Sequence, residues 1–424
     1  MSANGADLKS AAVSGGVWSF AGQIALFVIQ FLSVAVLARL LEPEDFGLIG
    51  LMIAAVAVLG LFREIGLTTA IVQKTEVAEA ELTRLLWLTA MLGVSLGLLA
   101  SGVGVVAAKF VDEPRLVGIA PWFGVCFVLN SLEAVPLGLL RRALRFRELV
   151  VRDVIAKLVS TAICVYLAWS GWSYWALVAQ SVIMAVLNLV LTWLTAGWRP
   201  IAVAAPWAAI APYVKFGAAF TGSNLAAYFT QNLDSILIGK FSGLNALGLY
   251  SRARALMVTP LSQAMGPIGA VLIPIMSRLK DEPVRLSAWI DKLSRIFLFL
   301  SAPAAAVLMA GSSDLVEVFL GKKWMGAAPI FWWLAILVAS TPLGSLLYWV
   351  LVCSGRGKLL FQWTLIGSVL TCVAMAAAVA WGPVAVAASV GLVAVFGRSS
   401  VAIYCAGKTG FFEWRQMLRR FFVG

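Results

Sequence analysis

The sequence has no histidine in 424 residues. That absence excludes histidine acid–base catalysis, histidine-ligated metal sites and the Ser-His-Asp mechanism. Charge is scarce as well: Asp, Glu, Lys and Arg make up 12% of the chain, about half the share of an ordinary soluble domain. There are five cysteines, Cys126, Cys164, Cys353, Cys372 and Cys405, each in an apolar run and none at zinc-finger or redox spacing. They read as small core hydrophobes. No Gly-x-x-x-x-Gly-Lys-Ser/Thr motif occurs, so a self-contained ATPase is not expected. No cofactor and no metal is expected either.

What is present is apolar. Hydrophobic residues make up 62% of the chain, about 263 positions, and twelve membrane spans need about 240. This excludes a soluble enzyme, a disordered protein and a nucleic-acid-binding domain, despite the net charge of +12. Apolar stretches predict spans at 14–37, 47–72, 84–108, 116–139, 151–170 and 173–195, then at 214–238, 256–278, 292–311, 328–353, 359–380 and 384–404. The first run exceeds a signal-peptide core and reads as a retained helix. Unpaired backbone is excluded from lipid, so runs of this length are helices rather than barrel strands.

Lys and Arg placement orients the chain. With the N-terminus in the cytoplasm, 22 of the 32 fall in cytoplasmic segments and 8 in outer ones, while Arg63 and Arg398 lie within spans. Both termini are therefore expected in the cytoplasm. A weak repeat near 200 residues links Phe20-Ala21-Gly22 to Phe220-Thr221-Gly222. It also links Phe46-Gly47-Leu48 to Leu247-Gly248-Leu249, and Pro136-Leu137-Gly138 to Pro342-Leu343-Gly344. An even number of spans per half makes this a parallel repeat. The predicted fold is an all-α integral membrane protein with about twelve transmembrane helices in two parallel six-helix bundles around a central cavity. Residues 1–196 form the first bundle, 197–213 a cytoplasmic linker carrying Pro200, Pro206 and Pro212, 214–404 the second bundle, and 405–424 a basic tail.

Charged and polar residues inside spans are the candidates for function, because hydrocarbon penalises them. Arg63 reads as a cavity-facing cation for an anionic substrate, with Glu64 holding it or titrating; the alternative is a local pair reaching for the cytoplasm. Asp234 follows Asn224, Gln231 and Asn232, and Asn224, Gln231 and Ser235 share one helix face. That stripe lines a cleft or glues helices together. Lys240, Arg252 and Arg254 flank the outer loop before the eighth span, where they form either a rim for pyrophosphate or acidic sugars or a plain solvated loop. Arg39 holds the matching place in the first half, facing Glu42, Glu44 and Asp45. Glu133, with Asn130 and Ser131, carries a coupling proton or pairs with neighbouring arginines, and pairing is preferred. Arg141, Arg142, Arg145 and Arg147 open a cytoplasmic segment suited to lipid headgroups. Trp172, Trp175 and Trp198 fit interfacial belts.

The stretch from Leu37 to Gly50, LARLLEPEDFGLIG, resembles the first-loop signature of bacterial polysaccharide transporters. These are the Wzx-like flippases of the multidrug/oligosaccharidyl-lipid/polysaccharide (MOP) exporter superfamily. The stretches Arg63–Gln73, Val135–Arg147 and Leu247–Arg252 are similar to the family as well. The resemblance implies a MATE-like inner-membrane carrier with a cation-lined cavity, which moves undecaprenyl-diphosphate-linked oligosaccharides outward for O-antigen, capsule or exopolysaccharide assembly. It implies proton or sodium coupling rather than ATP, with membrane lipids and polysaccharide-assembly proteins as further partners. Arg63, Arg252, Arg254, Lys240, Arg39, Asn224 and Gln231 are then the substrate-binding candidates. Asp234, Glu64 and Glu133 are the candidates for ion coupling. Two alternatives stand beside this reading. A MATE-like drug exporter calls for an acidic, sparsely basic cavity. A membrane polymerase or glycosyltransferase calls for a substantial charged outer loop, and the outer loops here are short.

Overall fold

In the computed structural model, residues 5–64, 71, 77–202, 205–207, 210–211 and 231–423 are described, and among them there are helices but no strands. The chain divides into two compact units, Met1–Tyr228 and Phe229–Gly424. Ten helices among the described residues are long and apolar enough to cross a bilayer.

The first unit contains α1 (Gly5–Leu40), α2 (Pro43–Glu64), α3 (Glu79–Val111), α4 (Arg115–Arg142), α5 (Phe146–Trp169) and α6 (Tyr174–Ala196). Its closest packing is the α3–α4 seam, and α4 and α5 both pack on α6. The seam is close because its residues are small. A Cβ on Gly97 would lie 2.7 Å from the Gly124 carbonyl oxygen, and one on Gly104 would lie 2.1 Å from the Ala120 Cβ. Gly93 and Gly97 are four apart and face one way, the arrangement that lets membrane helices approach closely. The short gaps between predicted spans at Ser170-Gly171 and Trp381-Gly382-Pro383 are both tight turns. Gly171 and Gly382 take positive φ there, 85° and 89°, a conformation that suits residues without a Cβ.

Past α6, the connection folds back on the unit. The Ala205 N–H donates to the Ala80 carbonyl, 2.9 Å, and the Arg84 guanidinium lies 4.7 Å from the centre of the Trp207 ring. Ile210 is buried with Ile71, Leu82, Leu85, Leu86 and Val135.

The second unit opens with the helical stretch 231–241. It continues with α7 (Gly243–Arg278), α8 (Pro283–Ala310), α9 (Ser312–Phe319), α10 (Ala328–Cys353), α11 (Gly357–Ala378), α12 (Pro383–Leu392), α13 (Ser399–Gly407) and α14 (Trp414–Val423). α10 packs on α7, α8, α11, α12 and α13, and its apolar residues run all the way round, as a helix surrounded by others requires. Between α12 and α13 the chain makes a wider π turn, Val393–Arg398.

Two expectations change. The predicted spans leave 239–255 as an outer loop, but α7 begins at Gly243 because Leu244, Leu247, Tyr250 and Ala253 recur at helical spacing and are buried. Arg252 and Arg254 therefore lie inside a long apolar helix. The predicted span at 151–170 is helical as part of α5, yet Arg152, Asp153 and Lys157 keep it out of the ten. The predicted span at 214–238 lies outside the described residues up to position 230.

Candidate functional site

Among the described residues two buried ionic clusters emerge, one in each unit. In the first, Glu133 of α4 is 5% exposed and Arg152 of α5 is 8% exposed. Arg152 Nη1 donates to Glu133 Oε1 at 2.5 Å and to Thr192 Oγ1 of α6 at 2.7 Å, and the Thr192 hydroxyl in turn donates to Glu133 Oε1 at 3.1 Å. Arg152 Nη2 also reaches Asp153 Oδ1, 2.5 Å away. One carboxylate thus ties three helices together. Charge counting places Arg152 among the cytoplasmic cations, but it is an arginine that pairs with Glu133, from the next helix. Arg142 Nη1 turns to the Ile71 carbonyl, 3.4 Å away.

Arg152 lies on the buried stripe of α5, followed by Ala156, Ser160, Cys164 and Ala168. That stripe of small residues every four positions is the sequence signal that marks its side as inward.

In the second unit the cluster is built on Asp234, which is 1% exposed. Arg254 Nη1 donates to Asp234 Oδ2 at 2.7 Å and to the Gln231 carbonyl at 2.8 Å. The Tyr250 hydroxyl donates to the same Oδ2 at 2.9 Å, and the Ser235 N–H donates to Oδ1 at 2.7 Å. Tyr250 and Arg254 are four apart on α7 and so share the face turned to the 231–241 helix. Arg252, two positions before Arg254, is about 200° round the helix from it and is half-buried, as is Lys240. Tyr250 is the member of this cluster that sequence reasoning passed over.

The remaining candidates are placed apart from these. Arg39 is exposed in the last turn of α1. Of the acidic residues expected to face it, Glu44 also pairs with Arg115, and Asp45 accepts from the Ser173 hydroxyl and from the Glu42 N–H. Arg115 also bridges to Glu113 at 2.7 Å, and that hydrogen bond holds the Glu113 carboxyl below its ordinary range against the opposing effect of burial. Arg63 and Glu64 end α2, but their side chains fall outside the description, as does the whole of Asn224.

A sequence profile of polysaccharide biosynthesis proteins matches residues 36–329. The chain belongs to that family. This polysaccharide biosynthesis protein is 24% identical over 349 residues to the lipopolysaccharide biosynthesis protein WzxC of Escherichia coli K12, covering 80% of this chain and 70% of WzxC. It is 27% identical over 363 residues to the succinoglycan biosynthesis transport protein ExoT of Rhizobium meliloti, covering 85% and 72%. The teichuronic acid biosynthesis protein TuaB of Bacillus subtilis is 26% identical over 360 residues, covering 83% and 73%.

Its fold is similar to that of the lipid II flippase MurJ in an inward closed conformation, with a TM-score of 0.76 at 11% identity over 96% of this chain and 89% of MurJ. It is also similar to an inward-facing MATE transporter of the MOP superfamily, with a TM-score of 0.63 at 13% identity over 93% and 95%. This family member is thus a multi-pass membrane protein with the MOP exporter fold.

Proposed function

We propose that this protein is a flippase that carries undecaprenyl-diphosphate-linked oligosaccharide units from the inner to the outer leaflet of the bacterial inner membrane. The observation that carries the reading is its similarity, over four-fifths or more of the chain, to relatives named for polysaccharide biosynthesis and transport. The MOP exporter fold agrees with it. In this reading the protein is a carrier and not an enzyme, and both termini lie in the cytoplasm. Membrane lipids and polysaccharide-assembly proteins are its partners, and a proton or sodium ion drives it.

Arg63 remains the first candidate for contact with the diphosphate, with Arg252, Lys240, Arg39, Asn224 and Gln231 as further contacts. Arg254 takes part through Asp234: protonating that carboxylate would release the guanidinium to an anion, linking substrate and ion. Glu64 and Glu133 are the other ion-coupling candidates, Glu133 being held by Arg152.

Deleting the gene and analysing the undecaprenyl-linked pool tests the function. Completed repeat units stranded on the inner leaflet are expected. Single units reaching the outside unpolymerised would instead point to a polymerase. Arg63→Glu should abolish polymer export with protein still in the membrane, and full export would remove Arg63 from the site.

A further inference from the structure

One cavity in the second unit is lined by none of the residues of the Asp234 cluster. It occupies about 310 Å³ between α10, α11 and the π turn. Its wall carries Arg398, Ser340, Thr341, Ser345, Tyr348 and Trp363. Ser340, Gly344 and Tyr348 recur every four residues and so fall on one side of α10. Ser340 and Trp349 at its floor are 4% and 5% exposed, while Tyr348 at its mouth is 43% exposed.

The local backbone is arranged for this. In the π turn the Ser399 hydroxyl donates to the Ala394 carbonyl five residues back, 2.8 Å, and Trp363 Nε1 donates to the Arg398 carbonyl, 3.2 Å. Wide turns of this kind inside helices recur at functional positions. The stem of Arg398 lies over Gly367, where a Cβ would meet its Cγ at 3.3 Å and its Nε at 3.4 Å. Gly344 supplies the space: a Cβ there would meet nothing within 4 Å, whereas one on Gly138, in the matching Pro-Leu-Gly of α4, would meet Ile71 at 3.2 Å. The same tripeptide is filled in one half and open in the other.

Among the described residues no carboxylate pairs with Arg398, which leaves its charge open to an anionic ligand. The Ser340 hydroxyl donates to the Leu337 carbonyl, 3.4 Å away; a planar guanidinium beside the Thr341, Ser345 and Tyr348 hydroxyls suits tetrahedral, multiply charged oxygens, and the Trp and Leu337 surfaces suit an apolar chain. Arg398 is nine residues from the end of the span Pro383–Gly407, about 14 Å along the helix and near the middle of the hydrocarbon. A resting phospholipid keeps its phosphate at the headgroup level, whereas a lipid in transit passes this depth.

We propose that the Arg398 cavity binds the phosphate or diphosphate ester of an apolar chain. Where that chain is the transported lipid, the proposal rests on the flippase reading. The test uses the full-length protein in detergent, with undecaprenyl diphosphate and phosphatidylglycerol as separate probes, followed by native mass spectrometry. Arg398→Gln and Gly344→Leu are each expected to weaken undecaprenyl diphosphate binding at least tenfold. Arg398→Lys should fall between them and the wild type, since it keeps the charge and loses the fork. Gly344→Leu leaves Arg398 in place and fills the open space, so it reports on the cavity without the risk attached to removing the cation.

Equal Arg398-dependent binding of phosphatidylglycerol would identify bilayer lipid as the source of the ester. Unchanged binding of both lipids in both variants would overturn the proposal, as would loss in Arg398→Gln with Gly344→Leu unaffected. If the pocket fails these tests while the deletion strain still strands its repeat units, only the pocket falls. A deletion strain that exports polymer normally removes the flippase reading, whatever the pocket binds.

Discussion

Arg152 and Glu133 form a buried ion pair at 2.5 Å that joins α5 to α4. Removing one partner of such a pair strands the other charge in an apolar interior, at a cost of about 3–5 kcal/mol, while replacing both by apolar groups can be nearly neutral. Glu133→Ala should therefore lower the thermal unfolding temperature in detergent far more than the double variant Glu133→Leu with Arg152→Leu. Equal losses would show that the pair does not hold the three helices.

Close approach along α3 and α4 gives a second prediction. Gly97→Leu has no room beside Gly124, so it should force the helices apart and cost at least about 1–3 kcal/mol. Gly102→Ala, where a Cβ would meet nothing within 4 Å, should be neutral or stabilise by up to about 1 kcal/mol. Thermal unfolding of the two variants side by side checks the contrast.

Outside the spans, Glu113 gives a pH prediction. Its hydrogen bond with Arg115 lowers its folded pKa, so the stability it contributes is fully present above the ordinary carboxylate value. That stability is lost as pH falls through the lower folded value. Glu113→Gln should lose stability at neutral pH, and the gap to the wild type should close on acidification. Unfolding temperatures measured from about pH 6 to about pH 3 read this directly, and a gap that widens in acid would contradict it.

The Asp234 cluster separates a charge from a hydrogen bond. Tyr250→Phe removes one donor but leaves Arg254 on the carboxylate, so it should cost only about 0.5–1.5 kcal/mol and retain polymer export. Asp234→Asn removes the counter-charge of Arg254, and export should be lost at unchanged membrane protein levels. Normal export by Asp234→Asn would exclude Asp234 from coupling.

Much of this fold was legible in the sequence because bilayers demand long apolar helices, and the short gaps between predicted spans hold glycines, Gly171 and Gly382, that take positive φ. The start of α7 was not, since Ser251, Arg252 and Arg254 read as loop until the buried spacing of Leu247, Tyr250 and Ala253 is given priority. Glu133 was visible as a membrane carboxylate, but its partner is 19 positions away on another helix, a tertiary fact that charge counting assigns to the aqueous side. The openness around Gly344 could not be read at all, because the identical tripeptide at Gly138 is packed.

Arg398 also has an electrical consequence. Asp234 and Arg254 cancel each other, so the membrane voltage does little net work on them when they move together. The Arg398 guanidinium, with no carboxylate paired to it among the described residues, feels the field uncompensated, about 2.3 kcal/mol per 100 mV for a complete crossing. Any conformational step that carries position 398 along the membrane normal will therefore run at a rate set partly by potential, and an anion seated in the cavity would switch that sensitivity off.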